Sequence, residues 1–280
     1  MIIIKEALAL SNLLKKHRSG LQHIGFVPTM GALHAGHISL IRESKQDNEL
    51  TVCSIFVNPT QFNNPSDFEK YPITIESDID KLEAAGCDIL FLPTVLEIYP
   101  PGKPTLHYEL GYLETVLEGH YRPGHFQGVC MVVDRLLSIV EPTVLYLGQK
   151  DYQQCMVISK LVELKNFDTK IRISETIRET DGLAMSSRNV RLNEHDRKQA
   201  LKIYAAMNMI KNEMVPGKLQ ALKEKASRFL TEHGFKVDYV DIADAKNLAL
   251  LETWDGHQQV VVLVAAYLHE VRLIDNLLLN

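Results

Sequence analysis

Two histidines three residues apart, His34 and His37, close the segment Pro28-Thr29-Met30-Gly31-Ala32-Leu33-His34-Ala35-Gly36-His37. If the chain is helical from His34, the two imidazoles share a face. Two ring N–H groups there can donate to phosphate oxygens as charge builds in a transition state. Gly31 and Gly36 let the backbone approach a ligand, and a helix beginning near Gly36 aims N–H groups and partial positive charge at the same place. On spacing alone, a pair of ordinary surface histidines accounts for the pattern equally well. Zinc is the weaker reading, because no third ligand is placed nearby and H-E-x-x-H is absent. The P-loop and the G-x-G-x-x-G fingerprint are also absent from this turn, so a nucleotide site here would be of another kind.

Four further groups of polar residues have the same character. Asn58 and Gln61 follow an apolar run at 51–57 and offer neutral amides that donate and accept. Gly148, Gln149, Lys150 and Asp151 follow the run 144–147; Lys150 can meet phosphate as a point charge and Asp151 can accept hydroxyls or cap a helix. Met185, Ser186, Ser187 and Arg188 form a hydroxyl-rich basic loop, with Arg188 capable of a forked contact. Arg122 and His125 sit in a Gly/Pro turn before a long apolar segment. Locally, each group also reads as solvated turn or cap residues.

These groups need elements to hold them. Strand-like runs at 24–27, 51–57, 89–92, 144–147 and 170–173 alternate with helix-like segments at 5–18, 38–45, 77–85, 126–140 and 152–164. That alternation predicts an α/β fold, a Rossmann-like doubly wound parallel sheet with both faces covered. Ligands of such sheets bind beyond the carboxyl ends of strands, where the first, second and third polar groups fall. After about residue 193 the pattern changes to helices at 194–213 and 218–232 and strands at 237–242, 260–266 and 271–274, the last two as a hairpin. We expect residues 1–176 to form the nucleotide-binding domain and 177–280 a smaller α+β lid domain. The Pro/Gly-rich stretch 99–104 reads as a surface loop.

The chain of 280 residues is long enough to bury a core without disulfide or metal staples. Its net charge of −5 argues against a nucleic-acid backbone as partner but leaves an anionic small molecule open. No apolar run reaches the roughly 20 residues that span a bilayer. The cysteines Cys53, Cys87, Cys130 and Cys155 form no C-x-x-C pair and each lies in or beside an apolar run. They read as buried free thiols of a cytoplasmic, soluble protein.

His34-Ala35-Gly36-His37 resembles the H-x-G-H signature of the nucleotidyltransferase superfamily that includes class I aminoacyl-tRNA synthetases. The wider sequence resembles the pantoate–β-alanine ligase family, in five ordered blocks covering most of the chain. They are the segment from Pro28 to His37, the segments 54–62, 122–126 and 148–154, and Asp181-Gly182-Leu183-Ala184-Met185-Ser186-Ser187-Arg188-Asn189. The resemblance implies an ATP-dependent ligase acting through a pantoyl adenylate, with Mg2+ on the phosphates and a homodimeric state. It implies His34 and His37 as catalytic residues. It places ATP against Met30 to His37 (Met30, Gly31, Ala32, Leu33, His34, Ala35, Gly36, His37), Gly148, Gln149, Lys150, Asp151, Ile177, Met185, Ser186, Ser187 and Arg188. Asn58, Gln61 and Gln154 would bind and orient pantoate, Gln61 also contacting β-alanine, and Arg122 and His125 would complete the substrate-binding set on the pantoate and phosphate side.

The sequence departs from the family pattern at Thr60, where Met is usual, at Gln149, usually acidic, and at Ala184, where the mobile K-M-S-K-S-type loop begins with Lys. An acidic position associated with Mg2+ in the family matches Asp78; locally it reads as a solvated helix-face charge, and no metal ligand is assigned. Two other readings stand beside this one. They are a nucleotidyltransferase that adenylylates a phosphate monoester, and a non-catalytic nucleotide-binding regulator, which the intact histidines and Lys150 disfavour.

Overall fold

The computed structural model describes residues 1–102 and 106–279. Of the expected loop at 99–104, residues 103 and 104 lie outside the described residues. The chain divides into two units, one of Met1–Gln149 with Gln154–Glu175 and one of Lys150–Gln153 with Thr176–Asn280.

The first unit is built on β1 (Ile2–Ile4), β2 (Ile24–Thr29), β3 (Leu50–Ile55), β4 (Ile89–Phe91), β5 (Val144–Gly148) and β6 (Lys170–Ser174). They form one sheet in the order β1-β4-β3-β2-β5-β6. Every pairing in it is parallel. Five of these strands were legible as apolar runs. β1 was not, because three isoleucines at the start of a chain are too short a run to distinguish strand from coil.

The longer helices are α1 (Ala7–Ser19), α2 (Ala35–Asp47), α3 (Ile75–Ala84), α4 (His125–Val140) and α5 (Tyr152–Lys165). Successive strand residues face opposite sides, and the core splits accordingly. Phe26 joins Leu10, Phe126, Leu137 and Leu161, the layer of α1, α4 and α5. Its neighbour Val27 joins Ile41, Leu82 and Leu90, the layer of α2 and α3. A Cβ on Gly25 would lie 2.1 Å from Ser44 Oγ, so glycine on β2 is what lets α2 lie against it.

The second unit pairs β8 (Phe235–Asp244), β10 (Val260–Leu268) and β11 (Val271–Leu279) as an antiparallel sheet in the order β11-β10-β8. A short ladder joins β7 (Gly217–Lys218) to β9 (Thr253–Trp254). Helices α6 (Glu194–Glu213) and α7 (Gln220–Glu232) supply Ala206, Met207, Ile210 and Leu230 to a core shared with Val262, Val264 and Leu273. The expected hairpin is present, but β11 runs five residues past the expected end at Ile274. Asp275 and Asn276 interrupt the apolar pattern there, and they are buried.

No helix among the described residues is long and apolar enough to cross a membrane. All four cysteines are free and buried. Burial pushes the Cys87 and Cys130 thiols up to about 12 and raises Cys53 well above its ordinary value. The thiolate is the reactive form, so these groups are protonated throughout the neutral range. An aromatic disulfide reagent at pH 8 should therefore label no cysteine of the folded protein within minutes and all four in denaturant. Rapid labelling of one in the folded state would contradict the described packing.

Candidate active site

Strands β2, β3 and β4 progress one way across the sheet and β5 and β6 the other, so the order reverses between β2 and β5. That is the place where open α/β sheets bind ligands. The crevice there has a local cause. Thr29 O accepts from Phe56 N beyond the end of β3. Alternate residues face opposite neighbours, so Pro28 faces β5, where it has no N–H to give. The β2–β5 pairing ends at Phe26 and Leu145, although both strands run on.

The chain leaving β2 is held in an uncommon shape. Gly31 (φ 83°) and Ala32 (φ 48°) both lie in the left-handed region. For alanine this costs about 1 kcal/mol. Asp78, on α3, offsets it: its oxygens accept from Ala32 N at 2.9 Å and Leu33 N at 2.8 Å, with Thr74 Oγ1 at 3.1 Å. One turn on, Lys81 Nζ donates to Leu33 O at 2.8 Å. Asp78 is 0% exposed, which corrects its reading as a solvated charge. The cause is that it lies on the same helix face as Ile75, Ile79 and Leu82, which pack into the core.

His34 and His37 start α2 together. His34 is the N-cap, and its Nδ1 accepts from Gly36 N at 3.2 Å. His37 Nδ1 accepts in return from His34 N at 3.3 Å. This is a capping box made of two imidazoles. Because both Nδ1 atoms accept, both neutral rings carry their proton on Nε2. The rings lie 4.1 Å apart between centroids. The capping box thus fixes one tautomer for both neutral rings at the start of α2, the positive end of that helix.

Gln61 is brought to the same loop, its Nε2 lying 3.1 Å from Met30 Sδ. Asn58 sets its orientation. Asn58 is 0% exposed; its Oδ1 accepts from Tyr99 OH at 2.8 Å and from Thr60 Oγ1 at 3.0 Å. Its Nδ2 donates to Gln61 Oε1 at 3.0 Å and to Gly128 O at 3.1 Å. His125 is buried and its Nδ1 donates to Gln61 O at 2.8 Å, while Arg122 Nη1 donates to its Nε2 at 3.1 Å. A Cβ on Gly128 would lie 2.2 Å from Thr60 O, so only glycine lets α4 approach residues 59–61 this closely. Met30, Asn58, Gln61, Arg122 and His125 thus form one connected cluster. Gly128 and Tyr99 were missed from sequence; the glycine inside a helix was the available signal.

Gly148, Gln149 and Gln154 belong to the first unit, Gly148 closing β5 and Gln154 in the first turns of α5. Lys150, Asp151, Ile177 and residues 185–188 belong to the second unit. There Lys150 Nζ lies 3.8 Å from Asp151 Oδ1. Ile177 and Met185 are joined by Met185 N donating to Ile177 O at 3.0 Å. Ser186 Oγ accepts from Arg188 N at 3.2 Å and caps a short 3-10 turn over Ser187–Arg191. With its lone pair engaged, the Ser186 hydroxyl keeps its proton to donate. Among the described residues no group of three or more His, Cys, Asp or Glu is placed to hold a metal.

The sequence profile of the Pantoate-beta-alanine ligase family matches residues 2–278. A pantothenate synthetase of Cytophaga hutchinsonii is 46% identical over 259 residues, 91% of each chain. One from Azobacteroides pseudotrichonymphae is 42% identical over 279 residues, 99% of each. The solved pantothenate synthetase of Thermus thermophilus superposes with a TM-score of 0.86 at 37% identity, covering 99% of both chains. A pantoate-beta-alanine ligase of Francisella tularensis, complexed with beta-gamma ATP and beta-alanine, has a TM-score of 0.84 at 39% identity, covering 99% of this chain and 97% of that one. With sequence and backbone matched from end to end, the chain belongs to the pantoate-beta-alanine ligase family.

Proposed function

We propose that the protein joins pantoate to β-alanine with ATP, through a pantoyl adenylate. A pantoate carboxylate oxygen attacks the α-phosphorus of ATP, and the bond from that phosphorus to the bridging oxygen breaks, releasing pyrophosphate. The β-alanine amine then attacks the acyl carbon, the acyl–oxygen bond breaks, AMP leaves and the amine gives up a proton. The observation that carries this reading is the imidazole capping box, which fixes the orientation and the Nε2–H tautomer of both neutral rings at the start of α2, in the turn that follows β2. Donors fixed before reaction stabilise developing phosphate charge without reorganising. No covalent enzyme intermediate is required, and positioning supplies much of the rate.

In this reading His34 and His37 stabilise the departing phosphate side. Gln61 and Gln154 orient pantoate, with Asn58 and His125 holding Gln61 and Arg122 backing His125. Lys150, Ser186 and Arg188 hold the triphosphate, with Met30 to Gly36, Gly148, Gln149, Asp151, Ile177, Met185 and Ser187 around the nucleotide. Mg2+ would accompany the ATP phosphates and offset their charge, as a metal that keeps several waters and takes few protein ligands. Asp78 does not fit as its ligand, because both oxygens already accept from backbone N–H groups. A cytoplasmic location is supported by the four free thiols. A homodimer is part of the reading on family resemblance, and sedimentation tests it.

Pantoate-dependent pyrophosphate release from ATP, measured without β-alanine, tests the first step; adding β-alanine should yield AMP and the amide in equal amounts. No pyrophosphate with pantoate would sink the reading. Gln61→Ala should raise the KM for pantoate by about tenfold, the size of one lost hydrogen bond to a charged group, and leave the KM for ATP within about twofold. Equal changes in both would remove Gln61 from pantoate recognition.

A further inference from the structure

Two polar residues of β11, Asp275 and Asn276, are buried at 6% and 2% exposure, and the chemistry above uses neither. Asp275 receives Arg178 in a fork, Nη1 to Oδ2 at 2.6 Å and Nη2 to Oδ1 at 3.0 Å. The same guanidinium donates to Gly182 O at 3.1 Å and to Asn276 O at 3.2 Å, and lies 4.2 Å from the Tyr204 ring centroid. Arg178 bridges to Ala184 across a small hairpin, which Glu179 N closes by donating to Leu183 O at 2.8 Å. That hairpin runs directly into Ser186, Ser187 and Arg188. Asn276, one residue along the strand, donates from Nδ2 to Lys150 O at 2.8 Å. The same short segment is held a second time by Tyr152 OH, which donates to Ala245 O at 2.6 Å.

Successive residues of a strand point to opposite sides, so an adjacent pair reaches two segments at once. A forked arginine–carboxylate contact is directional, and in a buried setting neither partner leaves without stranding the other's charge. Lys150 and the 186–188 loop are 36 or more residues apart in the chain, yet both are tied to neighbouring residues of one strand. We propose that Asp275 and Asn276 are positioning residues, a two-residue bracket that fixes Lys150 and the Ser186–Arg188 loop at a set spacing for the ATP phosphates. This rests on the functional reading above, which assigns those groups to ATP.

A double-mutant cycle tests it, read by pantoate-dependent pyrophosphate release. Asn276→Ala should lower kcat/KM for ATP about tenfold and leave the KM for pantoate within about twofold, as loss of one orienting hydrogen bond would. In a Lys150→Ala background the same substitution should cost less than about twofold, because residues acting through one another are not additive. Asp275→Asn should behave in the same way against Arg188→Ala. Equal factors in both backgrounds, an equal rise in pantoate KM, or single variants with wild-type kinetics would overturn the bracket. If Asn276→Ala does not fold, Asn276→Ser, too short to reach Lys150 O, is read by the same criteria. An active wild type with additive cycles removes the bracket alone; a wild type that releases no pyrophosphate with pantoate removes the functional reading and the bracket with it.

Discussion

Replacing His37 with alanine should slow pantoate-dependent pyrophosphate release by about 10²–10³-fold, the loss typical of one preorganised donor to a developing oxyanion. The ring also does structural work, since its Nδ1 takes the N–H of His34. Losing that half of the capping box costs about 1 kcal/mol, a small part of the stability of a folded unit. Circular dichroism should therefore be unchanged and the melting temperature only slightly lower. His37→Gln separates the two roles, because glutamine suits the third position of a capping box but offers no ring donor at the same reach. It should restore the melting temperature and not the rate. A His37→Ala rate within threefold of wild type would take the imidazole out of the mechanism.

Asp78→Ala should be the most destabilising single change near the site. It leaves the N–H groups of Ala32, partly buried, and Leu33, buried, without their carboxylate, and it removes the contact that offsets the left-handed Ala32. Losing two hydrogen bonds to a carboxylate, at about 1.5–3 kcal/mol each, makes roughly 3 kcal/mol a moderate expectation. At about 2–4 °C per kcal/mol that is a fall in Tm of roughly 6–12 °C. The loop carrying both histidines should loosen as well, so kcat/KM for ATP should fall even where the protein remains folded. Asp78→Asn keeps the volume but turns an NH2 toward a backbone donor or Thr74, and should recover only part of the loss. If Asp78→Ala melts within 2 °C of wild type, the carboxylate does not hold the loop.

Much of this architecture was legible because buried parallel strands are short, apolar and stopped by turn residues. The buried runs of β2 to β5 and the change of pattern near residue 193 were readable on that basis, and the exposed edge strand β6 showed through the alternation of Ile171 and Ile173. The placement of candidate residues beyond strand ends followed from the same reasoning. What could not be read depends on which face a residue takes. Asp78 has the spacing of its apolar neighbours Ile75, Ile79 and Leu82, so the periodicity contained the signal, but a charge on an apolar face is ordinarily assigned outward. Asp275 and Asn276 ended the expected strand for the same reason. Their burial depends on Arg178 and Lys150, about 97 and 126 residues away in sequence, and no local pattern encodes a pairing of that separation. Asn58 was grouped with substrate contacts because an amide at a strand end suits a ligand; in the fold its oxygen and both its donors serve Tyr99, Thr60, Gly128 and Gln61.

That last network gives the site a polarity. Thr60 N, a donor by nature, lies 3.3 Å from Asn58 Oδ1 and fixes which way round the Asn58 amide sits. Asn58 in turn claims Gln61 Oε1, so the Gln61 carboxamide is anchored by its acceptor, and its donor faces the soft, weakly accepting Met30 Sδ. Two molecules of the same outline, one offering a hydroxylate or carboxylate oxygen at that point and the other an ammonium, would not be equivalent to it. For anyone choosing inhibitor scaffolds, the useful variable at Gln61 is which partner brings the hydrogen, and size comes second.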